Sequence, residues 1–189
     1  MRLSPAILDS QAGVSAAVVL LLANAGSGLQ VLFIERAKHE SDPWSGDVGF
    51  PGGRSEPGDN DLQATAVRET FEEVGIALGR ARYLGRLSDI DGGHLGVRVS
   101  CFVFGVDRIG PMHLSNEVRD AFWVPLVELT NPARHGEASV RFGAKSLQRP
   151  AIRLPQADKP VLWGLTYRLV MQFLEAVGKG GRSMAGGEA

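Results

Sequence analysis

Three glutamates near the middle of the chain have the spacing of a metal site. Glu69, Glu72 and Glu73 lie at positions i, i+3 and i+4, which on an α-helix place their side chains on one face. Carboxylates held so close repel one another at neutral pH, and a hard divalent cation turns that repulsion into attraction. The spacing therefore predicts a helical site for a divalent cation. The competing interpretation is a solvated acidic surface of the helix.

The helix that carries these glutamates has predictable ends and a predictable apolar side. It should begin near Asp61, capped by Asp59 or Asn60, and should end at Gly75, which readily takes the left-handed conformation. Apolar residues on the roughly opposite side predict the face that docks on the protein core. These residues are Ala64, Val67, Phe71 and Val74.

The segment 52–76, GGRSEPGDNDLQATAVRETFEEVGI, resembles the Nudix box, G-x5-E-x7-R-E-U-x-E-E-x-G-U, in which U is a bulky aliphatic residue. Two departures stand out. Asp59 replaces the first glutamate and lies nine positions before the arginine instead of eight, and Thr70 replaces an aliphatic residue. The matching residues are Gly53, Arg68, Glu69, Glu72, Glu73, Gly75 and Ile76.

The resemblance implies a hydrolase that cleaves a nucleoside diphosphate linked to another moiety with the help of Mg²⁺ or Mn²⁺. A divalent cation relieves the repulsion between an anionic diphosphate and the attacking water. Carried over from the family, Glu69 and Glu73 are the direct metal ligands. Glu72 holds a second ion or acts through a bridging water, which makes it both a metal-binding and a catalytic candidate. The backbone carbonyl of Gly52 is the further expected ligand.

Two further catalytic candidates follow from the resemblance. Arg68 is expected to pair with an acid such as Asp59. The pair would hold the part of the box that precedes the helix, here called the box loop, against the helix. The family also commonly uses an acid from outside the helix as a ligand or general base, and Glu117 is the first candidate. Asp89 and Asp91 are its rivals. For each of these three acids, a solvated loop carboxylate is the competing interpretation.

The residues before the box are similar to the coenzyme A pyrophosphatase branch of the family. An aliphatic strand ending in Arg36 is followed by a turn that runs into Phe-Pro-Gly-Gly, residues 50–53. That branch also has an aspartate at the longer spacing, and Trp163 opens a similar segment before the last helix. Against this, Trp44 and Asp47 stand where histidine and glutamine are expected. The predicted substrate-binding residues are Arg36, Trp44, Phe50 and Arg54.

Coenzyme A or a derivative is therefore the expected substrate, cleaved to 3′,5′-ADP and 4′-phosphopantetheine. Its 3′-phosphate needs a cationic partner, and the basic stretch 134–153 could supply one. Two alternatives stay open. One is a Nudix hydrolase of another nucleotide, such as an oxidised nucleoside triphosphate, ADP-ribose, a nucleotide sugar or a dinucleotide. The other is a non-catalytic module that binds a nucleotide.

The composition is that of an ordinary soluble domain. The 189 residues are 44% hydrophobic and 22% charged, with a formal net charge of −1, which argues against binding nucleic acid through bulk electrostatics. The single cysteine, Cys101, excludes a disulfide framework. No signal peptide or bilayer-spanning run is found, so we expect a cytoplasmic protein that does not bind membranes. A homodimer is left open.

Alternating apolar runs predict one domain over residues 1–177, followed by a Gly-rich, disordered tail over 178–189. Strands around one long helix predict an α+β or α/β protein. This agrees with the Nudix fold implied by the resemblance, an α/β/α sandwich with a mixed sheet and a catalytic loop-helix-loop. The predicted strands are 16–22, 29–34, 48–50, 83–87, 97–106, 121–125, 140–142 and 151–154, and the last helix is 164–177.

Overall fold

The computed structural model describes residues 5–7, 14–26, 28–38, 45–92, 96–143 and 145–184. These residues form eleven β-strands and three α-helices. The strands are β1 (Val14–Asn24), β2 (Leu29–Arg36), β3 (Val48–Gly49), β4 (Gly52–Arg54), β5 (Arg82–Arg86), β6 (Ile90–Asp91), β7 (Val97–Val106), β8 (Val118–Pro125), β9 (His135–Phe142), β10 (Lys145–Ile152) and β11 (Leu162–Trp163). The helices are α1 (Leu62–Val74), α2 (Leu126–Thr130) and α3 (Gly164–Met184).

A mixed sheet forms the centre of the molecule. Its strands run in the order β3-β2-β1-β7-β5, while β4 pairs with β1, β6 with β7 and β8 with β2. The β1–β7 pair is parallel and the other pairs are antiparallel. A second sheet has the order β11-β10-β9. The predicted mixed sheet is confirmed, and the first two strands form an antiparallel pair.

The side chains of β1 alternate between two hydrophobic cores, one on each side of the sheet. Ala17, Val19 and Leu21 pack on the side of α1, whereas Leu20 and Leu22 pack on the side of α3. A strand buried on both sides reads as a continuous apolar run, because every residue faces one core or the other. The sheet is thus sandwiched between helices, as expected. The helices contribute Ala66 and Val74 from α1, and Leu169, Val170 and Phe173 from α3.

The orientation of α1 corrects two predictions. Its N-cap is Asp61, whose side chain accepts from the backbone N–H of Ala64 at 2.7 Å, so neither Asp59 nor Asn60 caps it. Phe71, predicted to dock, is 57% exposed. The helix faces the sheet with small residues and Glu73, because the box loop lies against this side of the helix. The predicted end at Gly75 is confirmed by its left-handed φ of 73°. The buried residues of α1 are Thr65, Ala66, Thr70, Glu73 and Val74.

The late hairpin and the last helix extend well beyond their predicted bounds. The late hairpin covers His135–Phe142 and Lys145–Ile152 rather than two short strands, because its exposed polar residues lack a clear apolar alternation. Helix α3 continues to Met184, so the first residues of the tail predicted to be disordered are helical. No helix among the described residues has the length and apolarity to cross a membrane.

Candidate active site

The glycine at position 52 brings the box loop into contact with the centre of the sheet. Gly52 pairs with Val18 of β1 and has a φ of 148°, a conformation that side chains rarely adopt. A Cβ here would overlap the backbone of Ala17 and Val18. The backbone N–H of Gly52 donates to Oε2 of Glu73 at 2.8 Å. The loop and the C-terminal half of α1 are therefore joined directly.

Glu73 is a buried carboxylate in a partly compensated environment. Only 4% of the residue is exposed, and Nη1 of Arg36 lies 4.0 Å from its Oε1. Burial raises the pKa of Glu73 to about 7, with further contributions from the charges of Glu69 and Glu117, while the Gly52 amide and Arg36 oppose the rise. The site thus favours either a proton or a cation next to Glu73.

Glu69 lies against the second glycine of the box. A Cβ added to Gly53 would overlap the Glu69 carboxyl group. The absence of a side chain at Gly53 therefore makes room for the side chain of Glu69. Burial raises the pKa of Glu69, and the charges of Glu72 and Glu117 add to the rise, while Arg68 opposes it. The two carboxylates expected to bind metal directly, on Glu69 and Glu73, are therefore both partly desolvated.

Arg68 organises the box loop, as the sequence predicts. Its guanidinium forms a two-point pair with Asp59, Nε to Oδ1 at 2.9 Å and Nη2 to Oδ2 at 3.0 Å. This pairing holds the pKa of Asp59 well below its usual range. Nη1 donates to Glu69 and Glu72, and Nη2 donates to the carbonyl of Arg54. The longer spacing between Asp59 and Arg68 is fully compatible with the pair.

The loop before β8 brings Glu117 close to the glutamates of α1. The backbone N–H of Ser115 donates to the carbonyl of Glu73, and the carbonyl of Glu117 accepts from Ala37. The Glu117 side chain is exposed, and its charge is close enough to raise the pKa of both Glu69 and Glu73. Glu117 therefore lies near the two glutamates, and its role as a ligand or general base stays a prediction.

The two rival acids lie in other surroundings. The buried carboxylate of Asp89 accepts from Arg86 at 2.5 Å and from Ser100 at 2.8 Å. Asp91 is exposed on β6, and its carbonyl accepts from Arg168. Neither charge is among the main causes of the raised pKa values of Glu69 and Glu73. This placement favours Glu117 over both rivals.

A cleft of about 570 Å³ adjoins the box. Three of the four predicted substrate-binding residues, Arg36, Phe50 and Arg54, line it; the fourth, Trp44, lies outside the described residues. Phe50 also stacks on Phe33, with ring centroids 5.1 Å apart. The remaining walls come from β1, β7, the β9–β10 hairpin and the beginning of α3.

Several cleft residues were not predicted as binding residues. Nε1 of Trp163 donates to Oδ1 of Asp47 at 3.1 Å. This bond connects the segment that precedes the box to the beginning of α3. Phe142 meets the Trp163 ring edge-on, with centroids 6.5 Å apart. Arg149 and Arg168 also line the cleft. Arg149 belongs to the basic stretch noted in the sequence, whereas no local pattern points to Arg168.

Comparison with known proteins places this fold and site in a family. A family model for the NUDIX domain matches residues 13–145, so the chain belongs to the Nudix family. It is 29% identical over 163 residues to a probable nudix hydrolase of Schizosaccharomyces pombe, covering 86% of this chain and 55% of that protein. It is 33% identical over 155 residues to the Homo sapiens mitochondrial coenzyme A diphosphatase NUDT8, covering 80% and 64%. The chain thus spans about half to two thirds of these relatives.

The fold has a close counterpart among solved structures. The NUDIX domain of Shewanella oneidensis NrtR, solved in complex with ADP ribose, superposes with a TM-score of 0.59 at 18% identity. The match covers 90% of this chain and 94% of that domain. It confirms the predicted Nudix fold.

Nudix hydrolases generally use divalent metals such as Mg²⁺ or Mn²⁺, and the donors present here suit such an ion. Glu69 and Glu73 supply desolvated carboxylates, the oxygen ligands that hard divalent ions prefer. Within the described residues, no three His, Cys, Asp or Glu side chains are already grouped around one point. Arg68 draws Glu69 and Glu72 towards itself, and the Gly52 amide holds Glu73. A bound cation would compete with these hydrogen bonds.

Proposed function

We propose that this Nudix hydrolase cleaves the diphosphate of coenzyme A or its derivatives, giving 3′,5′-ADP and a 4′-phosphopantetheine product. One observation carries the proposal. The two segments that are similar to the coenzyme A branch, 50–53 and the segment beginning at Trp163, line the same cleft although more than 100 residues separate them. The 33% identity to a coenzyme A diphosphatase supports the same substrate.

The residues of the chain divide the chemistry between them. A bound divalent cation supplies charge neutralisation at the diphosphate and a more acidic water. Glu69 and Glu73 would hold the cation, and Glu72 would bind a second ion or a water. Arg68 fixes the loop through Asp59, which keeps the glycines of the box beside the glutamates.

Glu117 is the proposed general base. Its exposed carboxylate lies on a loop held to α1 by the hydrogen bond from Ser115 to Glu73. A carboxylate oxygen there would accept the proton of the attacking water. Arg36, which lines the cleft beside Glu73, would contact the diphosphate, because guanidinium groups pair well with phosphate oxygens.

The aromatic residues of the cleft suit the nucleoside. Phe142 and Trp163 form an aromatic pair there, and the cleft also contains Tyr167. An adenine ring needs an apolar face to pack on, and aromatic rings supply it. The volume of about 570 Å³ is within the ordinary range of small-molecule sites, roughly 300–1,000 Å³.

Product analysis over a substrate panel tests the proposal. Purified protein with Mg²⁺ or Mn²⁺ is incubated with coenzyme A, ADP-ribose, NADH, a diadenosine polyphosphate and an oxidised nucleoside triphosphate, and the products are separated and identified by mass. We expect the highest kcat/KM for coenzyme A, with 3′,5′-ADP released. Cleavage of another compound but not of coenzyme A would leave only the Nudix chemistry standing. No metal-dependent turnover of any compound would favour a binding module.

A further inference from the structure

The cleft carries far more positive charge than the chain as a whole. The formal net charge of the protein is −1, yet among the described residues four arginines and a single acid line the cleft. That acid, Asp47, accepts the hydrogen bond from Trp163. Cations gathered in a cleft with mostly apolar walls attract anions more strongly than cations scattered over a surface. The four arginines are Arg36, Arg54, Arg149 and Arg168.

These arginines belong to two groups. Arg36 and Arg54 lie at the box, where Arg36 faces the carboxylate of Glu73. Arg149 and Arg168 come from the hairpin and from α3, which form the other walls of the cleft. A ligand that occupies the whole cleft therefore meets guanidinium groups of the box segment and guanidinium groups of the hairpin and α3. That charge pattern suits a molecule with a diphosphate and a second, separate phosphate.

The hydrogen bonds of the two distant arginines distinguish their roles. Nη1 of Arg168 donates to the carbonyl of Asp91 at 3.0 Å and so connects α3 to β6. Nη1 of Arg149 donates only to the carbonyl of its neighbour, Gln148, at 2.9 Å. Among the described residues, no carboxylate pairs with Arg149. Within the described ranges, no hydrogen bond or ion pair ties its guanidinium to another element of the fold, which leaves most of its five donors for a ligand.

We propose that Arg149 is the specificity-determining residue that binds a phosphate monoester on the 3′ carbon of the substrate's adenosine ribose. This inference rests on the proposed function and deepens it. A guanidinium presents paired donors that match the oxygens of a terminal phosphate. Recognition of this phosphate by Arg149 would distinguish coenzyme A from its analogue without the 3′-phosphate, dephospho-coenzyme A.

A direct binding measurement tests Arg149 without requiring turnover. Isothermal titration compares adenosine 3′,5′-bisphosphate with adenosine 5′-monophosphate on the wild type, Arg149→Gln, Arg168→Gln and the control Arg141→Gln. Arg141 is an exposed arginine of the same hairpin that does not line the cleft. We expect the wild type and Arg141→Gln to prefer the bisphosphate by about tenfold or more, equivalent to ~1.4 kcal/mol. Arg149→Gln should lose most of that preference.

Three results would overturn the assignment. The first is equal binding of the two nucleotides by the wild type. The second is a preference that survives in Arg149→Gln but disappears in Arg168→Gln, because the phosphate would then lie on α3. The third is equally tight binding of adenosine 2′,5′-bisphosphate, since the site would then not read the 3′ position.

Kinetics separate this inference from the proposed function. The ratio of kcat/KM for coenzyme A over dephospho-coenzyme A should fall towards one in Arg149→Gln and stay at the wild-type value in Arg141→Gln. An unchanged ratio in Arg149→Gln would contradict the inference even if coenzyme A is the substrate. Conversely, if neither compound is cleaved while the bisphosphate preference depends on Arg149, the proposed function fails and the phosphate site stands.

Discussion

The backbone amide of Gly52 and the carboxylate of Glu73 are joined by a 2.8 Å hydrogen bond between residues 21 positions apart. This bond holds the box loop on the helix and buries the carboxylate between them. Burial then raises the pKa of Glu73 to about 7, because a desolvated carboxylate is costly to ionise. The burial that accompanies assembly of the site therefore also makes its metal-free form sensitive to pH, although the hydrogen bond from Gly52 itself opposes the rise.

The metal-free protein should become less stable, relative to a Glu73→Gln variant, as pH rises. A carboxyl group whose pKa is higher in the folded state than its ordinary value of 4.5 contributes stability below pH 4.5. That contribution is lost as pH rises to about 7. Across this window the variant should gain up to about 3 kcal/mol on the wild type. Denaturant unfolding in EDTA at pH 5 and pH 8 measures the difference.

Glu56→Gln, which removes a charge from an exposed loop residue, is the control for that comparison. If the difference in unfolding free energy between the wild type and Glu73→Gln is the same at both pH values, the pKa of Glu73 is not raised in the folded protein.

Glu73→Gln should also remove most of the activity. Glu73→Gln keeps an oxygen that can accept the Gly52 N–H but loses the charge that attracts a divalent cation. We expect kcat to fall by ~10²-fold or more, as for the loss of a strong electrostatic contribution, and the Mg²⁺ concentration for half-maximal activity to rise. Steady-state kinetics over a Mg²⁺ titration, with circular dichroism to verify folding, measure both. A folded variant with near wild-type turnover would exclude Glu73 as a ligand.

Gly53→Ala should separate activity from stability. The added Cβ would overlap the carboxyl group of Glu69, which is the far end of a flexible side chain and can move. We therefore expect the Tm to stay close to that of the wild type while kcat falls by about tenfold to a hundredfold, because Glu69 is displaced. Gly79→Ala is the matched control, since its Cβ would meet open space. Full activity in Gly53→Ala would show that the position of Glu69 is not critical.

Alanine substitutions at Glu117, Asp89 and Asp91 should give three different results. Glu117→Ala should lower kcat by ~10²-fold at saturating Mg²⁺, in line with the loss of a general base. Asp89→Ala should mainly lower the Tm, because it leaves Arg86 without its buried partner. Asp91→Ala, at an exposed position, should stay close to the wild type in both. If Glu117→Ala has the mildest effect on kcat, the base lies elsewhere.

The sequence alone determined the features of the site that lie close together along the chain. Helical geometry relates nearby positions directly. The sequence therefore predicted the shared face of Glu69, Glu72 and Glu73, and the pairing of Arg68 with Asp59. The strongly apolar strands could also be predicted. Their apolar residues form continuous runs, so their burial needs no knowledge of their partners.

The tertiary structure alone decided which of these residues are buried and what surrounds them. Phe71 was expected to dock but is exposed, while Glu73 is buried against Gly52. That exchange depends on how α1 is turned against the loop, which the apolar pattern of the helix does not specify. Likewise, Arg149 reaches the cleft because the second sheet folds back beside the box. Local periodicity carries no information about such contacts between distant segments, since they depend on how whole elements pack together.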